Sequence, residues 1–163
     1  MHEYSKSETI IANIPYVGMV LLGSVTIASA FAFSAFGLAV AGIYFAYGIA
    51  GALWIMIFVC PYCRYFATTG CPCGYGMISA KVIKKGDRDR FAEKFKRHIP
   101  VIVPLWIIPA VCAGIGMWRS FSWLLVGLIS AFVIDSWIIL PIVSRKHGCI
   151  ECPQKDQCPW MAK

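Results

Sequence analysis

The chain has 163 residues, of which 59% are hydrophobic and 14% are charged. A soluble domain carries roughly a quarter of its residues as charged side chains. The charges are also segregated, because residues 9–63 contain no Asp, Glu, Lys or Arg. This composition excludes an ordinary soluble domain and predicts an integral membrane protein.

Four apolar stretches each approach the ~20 residues that a helix needs to cross ~30 Å of hydrocarbon. They cover residues 15–33, 37–59, 100–118 and 123–143, and short turns join them into two hairpins. The first stretch starts too late, and runs on too far, to be a cleaved signal peptide. The expected fold is therefore an all-α integral membrane protein, a single four-helix bundle of two hairpins spanning residues 1–163.

The basic residues lie almost entirely on one side of this predicted bundle. Of the 15 Lys and Arg residues, all but Arg119 fall on the side of the two termini and the loop between the hairpins. Positive residues mark the cytoplasmic side of a membrane. We therefore predict a multi-pass protein of the cytoplasmic membrane with both termini in the cytoplasm. The net charge of +7 reflects this topology and does not indicate nucleic-acid binding.

Seven of the eight cysteines are predicted to lie on the cytoplasmic side, in segments 60–76 and 147–160. Disulfides are disfavoured in that reducing compartment, whereas clustered cysteines with C-x-x-C spacing are typical metal ligands. Because the two segments follow the cytoplasmic ends of helices in one bundle, we predict a shared metal-binding cap. Its expected ligands are Cys60, Cys63, Cys71, Cys73, Cys149, Cys152 and Cys158.

The residues around the cysteines favour an iron–sulfur cluster, expected to be [4Fe–4S]. Four of the seven cysteines precede a proline, as does the last cysteine of a ferredoxin ligand run. Tyr62, Tyr65, Phe66 and Tyr75 would shield a cluster from water. Zinc, which four thiolates also hold, is the alternative, followed by disulfides or free thiols. The layout resembles membrane ferredoxin-type subunits of respiratory complexes in general terms, although their C-x2-C-x2-C-x3-C-P run is absent.

Seven cysteines do not fill two sites of four ligands each. Either one cluster takes four and leaves three, or a second site is completed by His147, a water or another ligand. The order of hairpin then cysteines occurs twice, which is consistent with a parallel repeat or with two unrelated hairpins. Cys112, inside the third predicted helix, is expected to be a small packing residue.

Two further features lie outside the cysteine segments. Asp135 is the one ionisable residue in the fourth predicted helix, and a carboxylate inside a membrane is a functional candidate by default. We expect it to bind protons during quinone chemistry, or to hydrogen-bond as a neutral acid to Thr26 or Ser29. Residues 87–98 predict a short interfacial amphipathic helix with Phe91 and Phe95 on its apolar face, which either anchors the loop or docks an acidic partner.

Together these features predict a membrane-embedded iron–sulfur protein. It would relay electrons at the cytoplasmic face between a soluble or peripheral redox protein and a membrane carrier such as a quinone. Any enzymatic role would be that of an electron-transfer subunit of an oxidoreductase complex. The protein would contact membrane lipid, and it could form a homo-oligomer. The alternatives are an anchoring subunit whose loops are stapled by zinc or a cluster and, third, a soft-metal transporter or sensor.

Overall fold

The computed structural model describes residues 3–150, 152–155 and 158. All regular structure in these residues is helical, and no strand occurs among them. Four helical stretches of the described chain are long and apolar enough to cross a membrane: Lys6–Ala30, Ala35–Tyr62, Arg88–Arg119 and Trp123–Cys149. The predicted all-α class and its four candidate spanning helices are therefore confirmed.

Short 3₁₀ and π-helical turns divide these four stretches into shorter helices. In chain order the α-helices are α1 (Lys6–Ala30), α2 (Ala35–Phe58), α3 (Tyr75–Ser79), α4 (Phe91–His98), α5 (Pro104–Arg119), α6 (Trp123–Val133) and α7 (Leu140–Ser144). The 3₁₀ turns are Cys60–Tyr62, Arg88–Arg90 and Ile99–Ile102, and the π-helical turns are Ile134–Ile139 and Arg145–Cys149. The predicted amphipathic segment and third span thus belong to one helical stretch.

The first helix begins well before residue 15, where the sequence analysis starts the span. The cause is a capping box at its N-terminus. The Ser5 backbone N–H and hydroxyl both donate to Glu8 Oε2 at 2.8 Å, and the Glu8 N–H donates back to Ser5 Oγ at 3.3 Å. These bonds satisfy backbone donors that have no partner within the helix, so helical structure starts at Lys6.

The described residues form two compact units, each with its own packing. The first, here called the cysteine unit, comprises the described residues of 1–14, 51–101 and 142–163. The second, here called the apolar unit, comprises residues 15–50 and 102–141.

The core of the apolar unit is made of side chains that are shielded completely from the surface. Met19, Ile27, Leu105 and Phe132 are each 0% exposed. Tyr44 joins this core; its ring lies so close to Gly23 that a Cβ there would come within 2.5 Å of the phenolic oxygen. Gly23 therefore permits the close helix packing that small residues provide in membrane proteins.

Pro109 frees a backbone carbonyl inside α5, and Tyr44 binds it. Proline has no N–H, so it cannot donate to the carbonyl four residues earlier, which here belongs to Leu105. The Tyr44 hydroxyl donates to the Leu105 carbonyl oxygen at 2.8 Å. The buried Leu105 carbonyl, which lacks its helical donor, is thereby hydrogen-bonded by a side chain.

A second proline shapes the π-helical turn Ile134–Ile139. The Leu140 N–H donates to the Asp135 carbonyl, five residues back, while Pro141 offers no N–H to the carbonyl of Ser136. The Trp106 indole N–H donates to that Ser136 carbonyl at 3.2 Å. The same solution, a polar side chain placed on a carbonyl freed by proline, therefore occurs twice in the apolar unit.

We expect Tyr44→Phe to lower the free energy of unfolding by about 1–3 kcal/mol, because it leaves the Leu105 carbonyl buried without a donor. Pro109→Ala restores an N–H four residues after Leu105, so the same Tyr44 substitution should cost much less in that background. Thermal unfolding of the four proteins of this double-mutant cycle in detergent measures the difference. An equal cost in both backgrounds would show that the Tyr44 hydroxyl does not compensate for the N–H that Pro109 lacks.

Candidate metal centre

All seven predicted cysteine ligands lie in the cysteine unit, whereas Cys112 lies in the apolar unit. Cys60, Cys71 and Cys158 are buried, and the other four are half-buried. Within the predicted segment 147–160, residues 151, 156, 157, 159 and 160 lie outside the described residues. The structure therefore gathers in one compact unit the two groups that the sequence separates by more than seventy residues.

Cys60 follows directly on the end of α2. Pro61 cannot donate to the helical ladder, and the chain turns there through Cys60–Tyr62. The Cys63 N–H donates to the Cys60 carbonyl at 3.0 Å and closes the turn. Cys60 and Cys63, the two cysteines of the first C-x-x-C, therefore lie at the two ends of one tight turn that contains Pro61.

Cys71 and Cys73 form a close pair of sulfurs. Their Sγ atoms lie 3.8 Å apart, and the Gly76 N–H donates to Cys71 Sγ at 3.3 Å. Gly76 has to lack a side chain, because a Cβ would come within 2.9 Å of the Tyr65 carbonyl oxygen. Two thiolates on one tetrahedral ion with metal–sulfur bonds of ~2.3 Å would lie ~3.8 Å apart, so the pair has the bite of a bidentate metal ligand.

The surroundings of this pair favour one thiolate and one thiol. A hydrogen bond from Cys73 is the main cause that lowers the pKa of Cys71 to about 6, and the N–H groups of Gly76 and Gly74 lower it further. The same hydrogen bond, followed by burial, raises the pKa of Cys73 well above its usual value. Within the pair, the negative charge is thus favoured on Cys71 and disfavoured on Cys73.

Backbone N–H groups also point at sulfurs elsewhere in the unit. Burial raises the pKa of Cys63 to about 11, against the N–H groups of Tyr65 and Arg64, which lower it. Burial likewise raises the pKa of Cys152, and the Gln154 N–H opposes it. At both cysteines burial outweighs the backbone donors, which oppose part of the cost of forming a thiolate there.

Gln154 connects the two cysteine segments. Its side-chain oxygen accepts from the Arg64 N–H at 2.7 Å, and the side chain is 5% exposed. Nearby, the thiols of Cys63 and Cys152 interact electrostatically. A buried amide bonded to the loop of the first group thus holds the second group beside it.

The N-terminal segment adds contacts that the sequence analysis misses. The Tyr4 backbone N–H donates to the Thr69 carbonyl at 3.2 Å, and the Tyr4 hydroxyl donates to the His147 carbonyl. The Asn13 amide donates to the Cys73 carbonyl at 3.0 Å. Tyr4 therefore touches both cysteine segments. For the contact between Asn13 and Cys73, the sequence offers one signal, which is a polar residue within an apolar run.

α4 covers part of the cysteine unit with its apolar face. Phe91 is buried in a cluster with Val59 and Cys158, and Phe95 packs against the cluster. The His98 ring stacks on Phe58 with centroids 5.0 Å apart. The apolar face of this helix thus packs on protein.

No three His, Cys, Asp or Glu side chains among the described residues are grouped closely enough to hold one metal ion. His147 enters the unit through its backbone carbonyl, which accepts from Tyr4. The described part of the unit thus holds one close sulfur pair, Cys71 and Cys73, and does not gather a third of these side chains around it.

Asp135 lies in the apolar unit, apart from the seven cysteines. Its Oδ2 is buried and has no hydrogen-bond partner within the described chain. A Cβ on Gly18 would come within 3.2 Å of this oxygen. The Thr26 hydroxyl, one of the two groups expected to bond a neutral Asp135, donates to the Leu22 carbonyl at 2.7 Å. Asp135 also lies in a π-helical turn, a feature frequent at functional sites.

Over the residues that the structure describes, fold and site define an all-helical chain with four helices apolar enough to span a membrane and with seven cysteines in one compact unit. No protein-family model, curated protein or solved structure matches the chain.

We expect one thiolate of the metal-free, reduced protein to titrate near pH 6, because Cys73 donates to Cys71. Thiolate ultraviolet absorbance measures the titration. Cys73→Ala should move the midpoint upward by removing the donor, and Cys112→Ala should leave it unchanged. Since the folded pKa is lowered, the stability that Cys71 contributes is fully present above its usual pKa of 9.0 and is lost as the pH falls through about 6. A titration confined to pH values above 8 would contradict the assignment.

We expect Asp135→Leu to raise the free energy of unfolding by about 1–3 kcal/mol, since it removes a buried acceptor that has no partner. Asp135→Asn, which keeps a polar group at the same place, should not give this gain. Thermal unfolding in detergent compares the two variants. Destabilisation by leucine would show that the carboxyl group makes a stabilising contact.

Proposed function

We propose that this chain is a multi-pass protein of the cytoplasmic membrane, with both termini in the cytoplasm. Its cysteine unit would hold an iron–sulfur cluster and relay electrons between a soluble or peripheral redox protein and a membrane carrier such as a quinone. The observation that carries the proposal is the gathering of all seven cysteines in one unit, with backbone donors directed at the sulfurs of Cys63, Cys71 and Cys152.

Exposed apolar side chains support the membrane part of the proposal. Ile43 of α2 is 70% exposed, and Trp118 and Trp123, which flank the turn between α5 and α6, are 93% and 78% exposed. Water-soluble proteins rarely leave large apolar patches uncovered. Lipid would cover these side chains, and tryptophan is enriched where a helix leaves the bilayer.

An iron–sulfur cluster supplies one-electron transfer at a potential set by hydrogen bonds to sulfur and by solvent exposure. The chain contributes both controls. The Gly76 N–H donates to Cys71 Sγ at 3.3 Å, and Tyr65 and Phe66 are buried nearby. The first ligand group would be Cys60, Cys63, Cys71 and Cys73. The second would be Cys149, at the end of the fourth candidate spanning stretch, with Cys152 and Cys158. His147 is a further candidate ligand.

Asp135 is the residue that would bind a proton when a quinone is reduced in the membrane. Its uncompensated Oδ2 supports this role, because a buried acceptor without a partner is costly to keep. The proton would rest on that oxygen, for which the described residues offer no competing donor.

A structural zinc site is the second candidate, and one distance favours it. The 3.8 Å between Cys71 Sγ and Cys73 Sγ fits two thiolates sharing one tetrahedral ion. In that case the ion would staple the loops of the cysteine unit, and the helices would serve as an anchor.

Anaerobic purification should give brown protein that contains iron and acid-labile sulfide and absorbs in the thiolate-to-iron region. The variant with both Cys71→Ser and Cys73→Ser should lose the colour and the sulfide, because it removes two of the four cysteines of the first ligand group. Cys112→Ser is the matched control and should keep both.

Metal analysis and redox titration by electron paramagnetic resonance separate the two candidates. A cluster that relays electrons gives a reversible one-electron signal, whereas a zinc staple gives none. Stoichiometric zinc without iron or sulfide would sink the electron-transfer proposal.

A further inference from the structure

The segment that follows the Cys71–Cys73 pair exposes an apolar surface that the sequence analysis does not identify. Backbone hydrogen bonds to the carbonyl of Ser79 extend the last turn of α3 as far as Ile83. Met77, Ile78 and Val82 lie on the outer side of this turn and are 47%, 53% and 82% exposed. Together with three lysines they form what we call the Met77–Lys85 surface.

The opposite side of the same turn is fixed to the cysteine unit. Gly76 and Ser79 are buried, and the Ser79 hydroxyl donates to the Met56 carbonyl at 2.6 Å. Further along, the Gly86 N–H donates to the Pro61 carbonyl at 3.0 Å. Because the segment is tied at both places, its apolar side chains stay on the outside.

The bond to Met56 sets the depth of this surface along α2. Met56 lies in the last turn of α2, which ends at Phe58. Trp54 and Ile57, in the same turns, are themselves 36% and 43% exposed. Met77 and Ile78 therefore lie at the level where the apolar exposed side of a candidate spanning helix ends, which is the level of a bilayer interface.

The charges within residues 77–86 have one sign, and the exposed Asp87 follows directly after them. Lys81, Lys84 and Lys85 are exposed, and residues 77–86 contain no Asp or Glu. Apolar side chains with lysines beside them are the pattern of segments that lie in the headgroup layer. Each lysine near an anionic leaflet contributes to attraction, and its long stem lets the ammonium group reach the phosphates.

We infer that the Met77–Lys85 surface inserts Met77, Ile78 and Val82 into the interface of a bilayer leaflet and binds its anionic lipid headgroups through the three lysines. The inference rests on the membrane insertion proposed above and is independent of which metal the cysteines bind. Since Met77 lies four residues after Cys73, the lipid contact would also hold the loop of the sulfur pair against the membrane.

Tryptophan placed at position 82 reports the contact directly. The full-length Val82→Trp protein is put into nanodiscs of phosphatidylglycerol whose acyl chains are brominated near the headgroup. The fluorescence of the added tryptophan is obtained by subtracting the wild-type signal. Bromine in the acyl chains should quench it, and iodide in the water should not. Met77→Trp serves as a second reporter, should the first variant not fold. Arg88→Trp, at an exposed turn of the same unit, is the matched control and should respond to iodide.

Lipid charge provides the second arm of the experiment. Replacing Lys81, Lys84 and Lys85 by Gln should weaken the insertion of the reporter, by roughly fivefold per lysine in phosphatidylglycerol. In phosphatidylcholine discs the same replacement should change little.

The controls separate failure of this inference from failure of the membrane proposal. A reporter that iodide quenches and bromine does not, while the native tryptophans are bromine-quenched, would overturn the lipid contact and leave insertion standing. Shielding of the reporter only after a soluble protein is added would assign the surface to a protein partner and would also overturn it. Native tryptophans that escape bromine would overturn membrane insertion itself.

Discussion

Backbone carbonyls that a helix cannot satisfy set the main constraint on this structure. Where such a carbonyl is buried away from water, its partner has to come from the protein. Pro109 and Pro141 each free one carbonyl in the apolar unit, and Tyr44 and Trp106 bind these carbonyls. The positions of the two aromatic residues thus follow from the positions of the two prolines, and with them the packing of the unit's helices.

The same constraint acts at the end of α2 in the cysteine unit. Pro61 stops the helical ladder, and the carbonyls near the helix end need donors from elsewhere in the chain. Ser79 donates to Met56, and Gly86 donates to Pro61. The two hydrogen bonds therefore fix the segment after Cys71 and Cys73 to the end of α2. In the loop that carries these two cysteines the relation reverses, because free N–H groups find cysteine sulfur as their acceptor.

Periodicity and charge predict the helical class and the four long apolar helices, because both depend on local composition. The grouping of the cysteines follows from topology, since segments after the second and fourth helices leave on one side. The start of α1 was missed although Ser5 and Glu8 carry a recognisable capping box. Contacts such as Tyr4 with His147 or Gln154 with Arg64 join residues far apart in the chain, and no local pattern encodes them.

Amphipathic character alone does not tell what covers an apolar face. The pattern of Phe91 and Phe95 predicts an interfacial helix, yet Phe91 lies against Val59 and Cys158, inside protein. The turn after α3 has a weaker pattern, and its apolar residues stay exposed beside lysines. The difference lies in what else each face offers. Arg90 and Glu93 form an exposed ion pair at the start of α4, where water reaches both charges. The Met77–Lys85 surface exposes apolar side chains and lysines together, and the inferred contact with an anionic bilayer interface would satisfy both.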